Sequence, residues 1–186
     1  VLVICPKQLV VENKWRNELR RFDEDFVELD SGLLRYCLDE ARLEGQWPGR
    51  YRKAILPYSL LDERLLLGAE ESRLKKHGLL ALNPPIKFDL VIVDEAHHVR
   101  NTDTWRHRVV KHFLANAEAA VLISATPIQT SSNDLFNLLQ LLRPDVLFGP
   151  ADFERMREPN AFIARAEEIA RSGRKGWQAE ALKEFN

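Results

Sequence analysis

Residues 88–101 read FDLVIVDEAHHVRN. A short apolar run turns abruptly into two carboxylates and two histidines. An apolar run of this length reads as a strand buried on both faces, the habit of parallel sheets. Asp94 closes the run and Glu95 lies one step beyond it. In open α/β sheets, ligands gather at the carboxyl ends of the strands, so the acidic pair falls where chemistry is done. A metal site, a hydrolase base and a plain surface turn are all possible at such a junction.

The flanking sequence repeats the theme. Val1–Cys5 is a second continuous apolar run, closed by Pro6; RKAILPYSLL at 52–61 holds another short strand ended by Pro57, and AAVLISATP at 119–127 reads as a fourth. Between them lie segments with helical spacing. Val11, Trp15, Leu19 and Phe22 predict one helix face, and LLDERLLLGAEESRLKKHG predicts a helix stopped by Gly78. Trp105, Val109 and Phe113 form an apolar stripe, and Leu135, Leu138, Leu139 and Leu142 form another after an N-capping SSN and before Pro144. The tail from Pro159 predicts two helices split by SGRKG, while 30–52 reads equally as helix or irregular loop. Short buried strands alternating with amphipathic helices argue for an α/β fold with a mostly parallel sheet covered on both faces.

Composition narrows the partners. Formal net charge is −1, so a nucleic-acid contact would have to come from a local patch rather than bulk charge. No apolar run approaches the roughly 18 residues of a membrane span. Cys5 and Cys37 show no CxxC spacing and read as buried free thiols. Met156 is the only methionine and the chain opens directly on a strand, which leads to the expectation of a piece of a longer protein.

An aspartate fixed at a strand end is well placed to hold Mg²⁺ through water, because Mg²⁺ keeps several waters and takes few protein carboxylates. The neighbouring Glu95 can orient and deprotonate a water for in-line attack on a phosphoryl group. Zinc fits poorly: HExxH is absent, no cysteine cluster lies near, and a helix would point the adjacent His97 and His98 about 100° apart.

These strings resemble a known family. VIVDEAHHVRN resembles motif II of superfamily-two helicases, and LISATPIQ resembles their motif III. SATPIQTSSNDLFNLLQLLRPD is similar to the stretch in Swi/Snf-type ATPases that carries TPxQ, a leucine-rich helix and a Leu-x-Pro-like ending. VLVICPKQLVVENKWRNEL resembles their motif Ia, including Trp15, and AILPYSLL resembles the strand that follows it. Asn101 matches the asparagine that often follows DEAH there. The resemblance covers residues 1–148, and the tail's spacing is similar to that of bacterial members. Thr130 and Ser131 follow Gln129 where asparagine is common, and His98 replaces the usual basic residue.

The resemblance implies a RecA-like three-layer sandwich, with a motor lobe at 1–148 and a helical extension at 149–186. It implies that Asp94 holds Mg²⁺ through water, that Glu95 activates the attacking water, and that ATP is the substrate. His97, Ser124, Thr126 and Gln129 would couple hydrolysis to closure against a second RecA-like lobe of the same parent chain. Pro6, Lys7, Gln8, Tyr58 and Ser59 would touch a nucleic-acid phosphate backbone, that of double-stranded DNA, and no membrane is implied. The location implied is the bacterial cytoplasm at the nucleoid, or the nucleus of a eukaryote. Trp15 reads as core, and Arg100, Arg106, Arg108 and Lys111 read as an exposed helix face.

One part of a motor site has no counterpart in these residues. No GxxxxGK[ST] loop occurs among them, so the strand and helix that carry the phosphate cradle are expected elsewhere in the parent chain, and this piece alone is expected to be inactive. The rival readings are a strand-separating helicase, a restriction-system motor, a pseudo-ATPase serving as a protein-binding platform, and a metal-dependent nuclease.

Overall fold

The computed structural model describes residues 1–71, 74–125, 132–174 and 176–183, without the side chains of 70, 71, 74–76 and 159–161. Five strands form one sheet: β1 (Leu2–Cys5), β2 (Val27–Glu28), β3 (Ala54–Pro57), β6 (Phe88–Val93) and β7 (Ala117–Leu122). Their order is β2-β3-β1-β6-β7 and every pairing is parallel. Cys5 pairs with Pro57, Ile4 with Val93, and Val93 with Leu122. The residues that follow these strands, namely Pro6, Tyr58, Asp94 and Ile123, therefore emerge along one edge of the sheet.

Alternation on the strands feeds two cores. Leu2, Ile4, Leu56 and Val93 join one cluster with helices α3 (Ser31–Glu44), α5 (Trp105–Ala115) and α6 (Ser132–Leu142). Val3, Cys5, Ile55 and Phe26 form the other, with Trp15 and Leu19 against them. Phe113 and Val109 of α5 are buried as the stripe predicts, each worth about 1.5–3 kcal/mol relative to exposure.

Segment 30–52 contains a definite helix. Asp30 caps α3 by accepting from the Leu33 N–H, and Gly45 ends it at φ 70. Leu34, Cys37, Leu38 and Ala41 make its buried face.

Two helix expectations are corrected. The first helix is broken into α1 (Lys7–Val11) and α2 (Lys14–Arg20), with Asn13 left-handed at φ 53 between them. Val11 and Phe22 consequently leave the stripe, at 69% and 77% exposure. The helix expected to run to Gly78 ends after one turn, α4 (Glu63–Leu67), and gives way to an antiparallel hairpin of β4 (Gly68–Glu71) and β5 (Leu74–His77). Glycine explains the change. Gly68 takes φ 92, and a Cβ on Gly78 would lie 2.3 Å from the Gly68 nitrogen and 2.5 Å from the Leu66 carbonyl oxygen. Arg35 donates to the His77 carbonyl at 2.7 Å and ties the hairpin to α3.

β7 has β6 as its single neighbour among the described residues. One of its faces is open, with Val121 and the following Ile123 at 43% and 42% exposure.

The chain divides into two compact units, Val1–Leu142 and Arg143–Asn186. In the second unit α7 (Pro150–Arg171) begins well before Pro159, because Pro150 suits a helix start where its missing N–H costs nothing. Helix α8 (Trp177–Leu182) follows after Gly176, which takes φ 91.

Candidate functional site

Asp94 is held from four directions. Its N–H donates to the Ile4 carbonyl at 2.8 Å, extending the β1–β6 ladder by one residue. Its own carbonyl accepts the Tyr58 hydroxyl at 2.8 Å. Oδ1 accepts the Glu95 N–H at 2.8 Å, and Oδ2 accepts the indole N–H of Trp15 at 2.7 Å. Neither the position nor the plane of this carboxylate is left to chance.

Glu95 then leaves the sheet through a left-handed residue, φ 50 and ψ 50. Such a conformation in a residue other than glycine costs about 1–3 kcal/mol and concentrates at functional sites. It persists because the turn is pinned on both sides. The Ile123 N–H donates to the Val93 carbonyl, and the Ala96 N–H returns to the Ile123 carbonyl, each at 2.8 Å. The Glu95 side chain is 37% exposed, partly open to solvent. His97 Nδ1 lies 3.2 Å from Glu95 Oε2, without the alignment of a hydrogen bond. His98 is exposed, its ring 4.4 Å from that of His97 and 5.3 Å from that of Tyr58.

The turn Ala96–Val99 is supported from below. Val99 accepts from His107 Nδ1 at 2.7 Å, and Arg100 accepts from Asn137 Nδ2 at 2.9 Å. Asn101 builds the next corner: its carbonyl accepts the Thr104 hydroxyl at 2.9 Å, and Thr104 in turn caps α5. Arg106, Arg108 and Lys111 lie exposed on α5, with Arg108 over the Trp105 ring, while Arg100 pairs with Asp134 at 3.7 Å.

The sheet edge thus brings together Asp94, Glu95 and His97, with Ser124 half-buried just after β7 and Pro6, Lys7 and Gln8 just after β1. Lys7, Gln8 and Ser59 are exposed. Tyr58, implied as a phosphate-backbone contact, is buried, 4% exposed, and its hydroxyl donates to the Asp94 carbonyl. Burial, reinforced by the Asp94 charge, pushes its phenol well above the usual range, so it stays a donor. Thr126 and Gln129 lie outside the described residues.

The donor set suits a hard cation. Asp94 keeps a free lone pair on each oxygen beyond its two hydrogen bonds. Among the described residues no three His, Cys, Asp or Glu side chains gather as a metal cluster. An ion held by Asp94 would complete its shell with water and ligand oxygens, which is the manner of Mg²⁺. Trp15 reads as core from the sequence, and only its indole N–H reaches Asp94. Tyr58, which the resemblance implies as a nucleic-acid contact, also reaches Asp94, through its hydroxyl.

Residues 1–175 match the family model described as the SNF2-related domain. Among curated proteins, the chain is 28% identical to the ISWI chromatin-remodeling complex ATPase ISW1 of Saccharomyces cerevisiae, over 82% of this chain and 12% of that protein. It is 29% identical to the chromodomain-helicase-DNA-binding protein 1-like of Danio rerio, over 81% of this chain and 13% of that one. A bacterial relative, the uncharacterized ATP-dependent helicase YqhH of Bacillus subtilis, is 38% identical over 37% of this chain and 12% of its own length. The chain therefore spans only a small part of the curated relatives it matches. Among solved structures, the Sulfolobus solfataricus SWI2/SNF2 ATPase core in complex with dsDNA aligns with TM-score 0.53 and 23% identity, over 83% of this chain and 27% of that one. The likeness bears on the fold: the parallel α/β sheet described above is that of the RecA-like SNF2 core. With a family model covering nearly its whole length, this chain belongs to the SNF2-related domain family.

Proposed function

We propose that these residues supply the hydrolytic half of an ATP-driven motor that moves on duplex DNA. The observation that carries the reading is the Asp94–Glu95 junction: one carboxylate locked at the sheet edge, the next half-buried beside it on a left-handed residue. Asp94 would hold Mg²⁺ through water, and the bound ion would neutralise charge on the phosphate oxygens. Glu95 takes the proton of the attacking water, a role worth about 10²- to 10⁴-fold. His97, beside Glu95, and Ser124, at the neighbouring strand end, relay the state of the site toward a second lobe. Thr126 and Gln129 are assigned to the same relay by resemblance.

Pro6, Lys7, Gln8 and Ser59 would follow the phosphate backbone, a contact that positions the protein without reading sequence. The names of relatives support this reading, since one is an ATPase of a chromatin-remodeling complex and the solved neighbour is complexed with dsDNA. Phosphoryl transfer depends almost wholly on positioning and charge stabilisation. With no GxxxxGK[ST] loop among them, residues 1–186 alone hydrolyse ATP little or not at all.

The test is ATP hydrolysis by the full-length protein with and without duplex DNA, alongside Glu95→Gln. DNA stimulation and loss of hydrolysis in the variant are expected. A variant with full activity removes Glu95 as base, and hydrolysis indifferent to duplex DNA removes the proposed track.

A further inference from the structure

We propose that Trp15 is a positioning residue for Asp94, and that its indole N–H, rather than its apolar surface, is the part that matters to the reaction. The inference rests on the reading of Asp94 as the metal-side carboxylate and adds a residue to it. Trp15 sits on α2, and its ring packs with the cluster of Val3, Cys5 and Ile55. Packing alone would be satisfied by any large apolar side chain. What such a side chain lacks is the Nε1 donor, which reaches Asp94 Oδ2 at 2.7 Å across 79 residues of sequence.

Three features make this contact more than a convenient sink for a half-buried N–H. The acceptor is a carboxylate, so the bond is charge-assisted and about twice the strength of a neutral one. The other carboxylate oxygen is already fixed by the Glu95 N–H at 2.8 Å. With both oxygens engaged, rotation about the broad, two-fold terminal torsion of an aspartate is arrested. Finally, the break at Asn13, φ 53, lies two residues before Trp15, so the indole that reaches Asp94 is carried on a helix separate from α1. Tyr58 fixes the main chain of Asp94 and Trp15 fixes its side chain.

The deciding experiment removes the donor and keeps the shape. Benzothienylalanine, which replaces the indole N–H by sulfur, is introduced at position 15 of the full-length protein, beside Trp15→Phe. The isosteric variant is expected to keep its melting temperature and KM for ATP, to lose about 10- to 100-fold in kcat, and to require a higher Mg²⁺ concentration for half-maximal rate. A second readout needs no turnover. In proton–nitrogen spectra of residues 1–186, the Trp15 indole signal, identified by its loss in Trp15→Phe, is expected to exchange slowly with solvent and to shift in Asp94→Ala. The signals of Trp47 and Trp105 should stay in place. Full kcat with unchanged Mg²⁺ dependence in the isosteric variant overturns the proposal, as does an indole signal indifferent to Asp94→Ala. If Asp94→Asn itself retains full hydrolysis, the underlying reading of Asp94 fails instead, so the two failures are distinct.

Discussion

His107 Nδ1 lies 2.7 Å from the carbonyl oxygen of Val99, and the ring that makes this contact is 6% exposed. The carbonyl can only accept, so Nδ1 carries the proton and donates. Burial holds the imidazole pKa below its ordinary value of 6.5, with the Val99 carbonyl partly opposing the shift. The folded state thus binds fewer protons than the unfolded chain once pH drops below about 6.5, and stability falls from there until the folded pKa is passed. Burial lowers His112 in the same direction. His107→Ala should cost about 2–4 kcal/mol at pH 7, from the cavity and the orphaned carbonyl together. It should also make the acid dependence shallower without abolishing it. Urea unfolding at pH 7.5 and 5.5 measures both effects.

Glu95 carries the proposed base and a conformational strain. Glu95→Gln should leave the fold intact and lower hydrolysis by the full-length protein about 10²- to 10⁴-fold. Glu95→Gly should be equally inactive and yet more stable. Releasing a left-handed residue recovers about 1–3 kcal/mol, against the roughly 0.4–1 kcal/mol that glycine's unfolded-state freedom costs. Thermal unfolding of the two variants side by side checks the sign, and a lower melting temperature for the glycine variant would count against stored strain.

Gly78 faces backbone rather than flexible side chains at 2.3 and 2.5 Å. Gly78→Ala should therefore force the β4–β5 hairpin away from α4, at a cost of about 1–3 kcal/mol or more. Gly49→Ala meets nothing within 4 Å and should be close to neutral. Equal stability of the two variants would refute the close approach.

Cys5 and Cys37 are fully buried, and burial pushes their thiols up to about 12 and about 11. The thiolate is the reactive form, so neither should react with a soluble disulfide reagent at pH 8 until the chain unfolds. Both should then react together. Rapid labelling of one thiol in the native protein would place it outside the core.

The fold was readable because the strands write themselves as apolar runs, buried on both faces in β1 and β3, and the sheet used each of them even where β7 keeps one face open. The hairpin was not, because Leu65, Leu66 and Leu79 keep helical spacing while the decisive quantity is a backbone distance between Gly68 and Gly78. Likewise one stripe from Val11 to Phe22 concealed the break at Asn13, a residue that tolerates a left-handed conformation without demanding it. At the site, Asp94 and Glu95 stood out as charges after an apolar run. The contacts of Trp15 and Tyr58 with Asp94 did not, since a ring that is apolar over most of its surface hides one polar atom whose aim only the tertiary structure sets.

The open flank of β7 has a consequence for handling this polypeptide. Among the described residues β7 pairs along one edge alone, and it adds a water-facing surface of Ala119, Val121 and Ile123. Such an edge templates intermolecular pairing. Solutions of residues 1–186 should scatter light increasingly with concentration, and a lysine at Val121 should suppress that self-association while leaving the cores untouched.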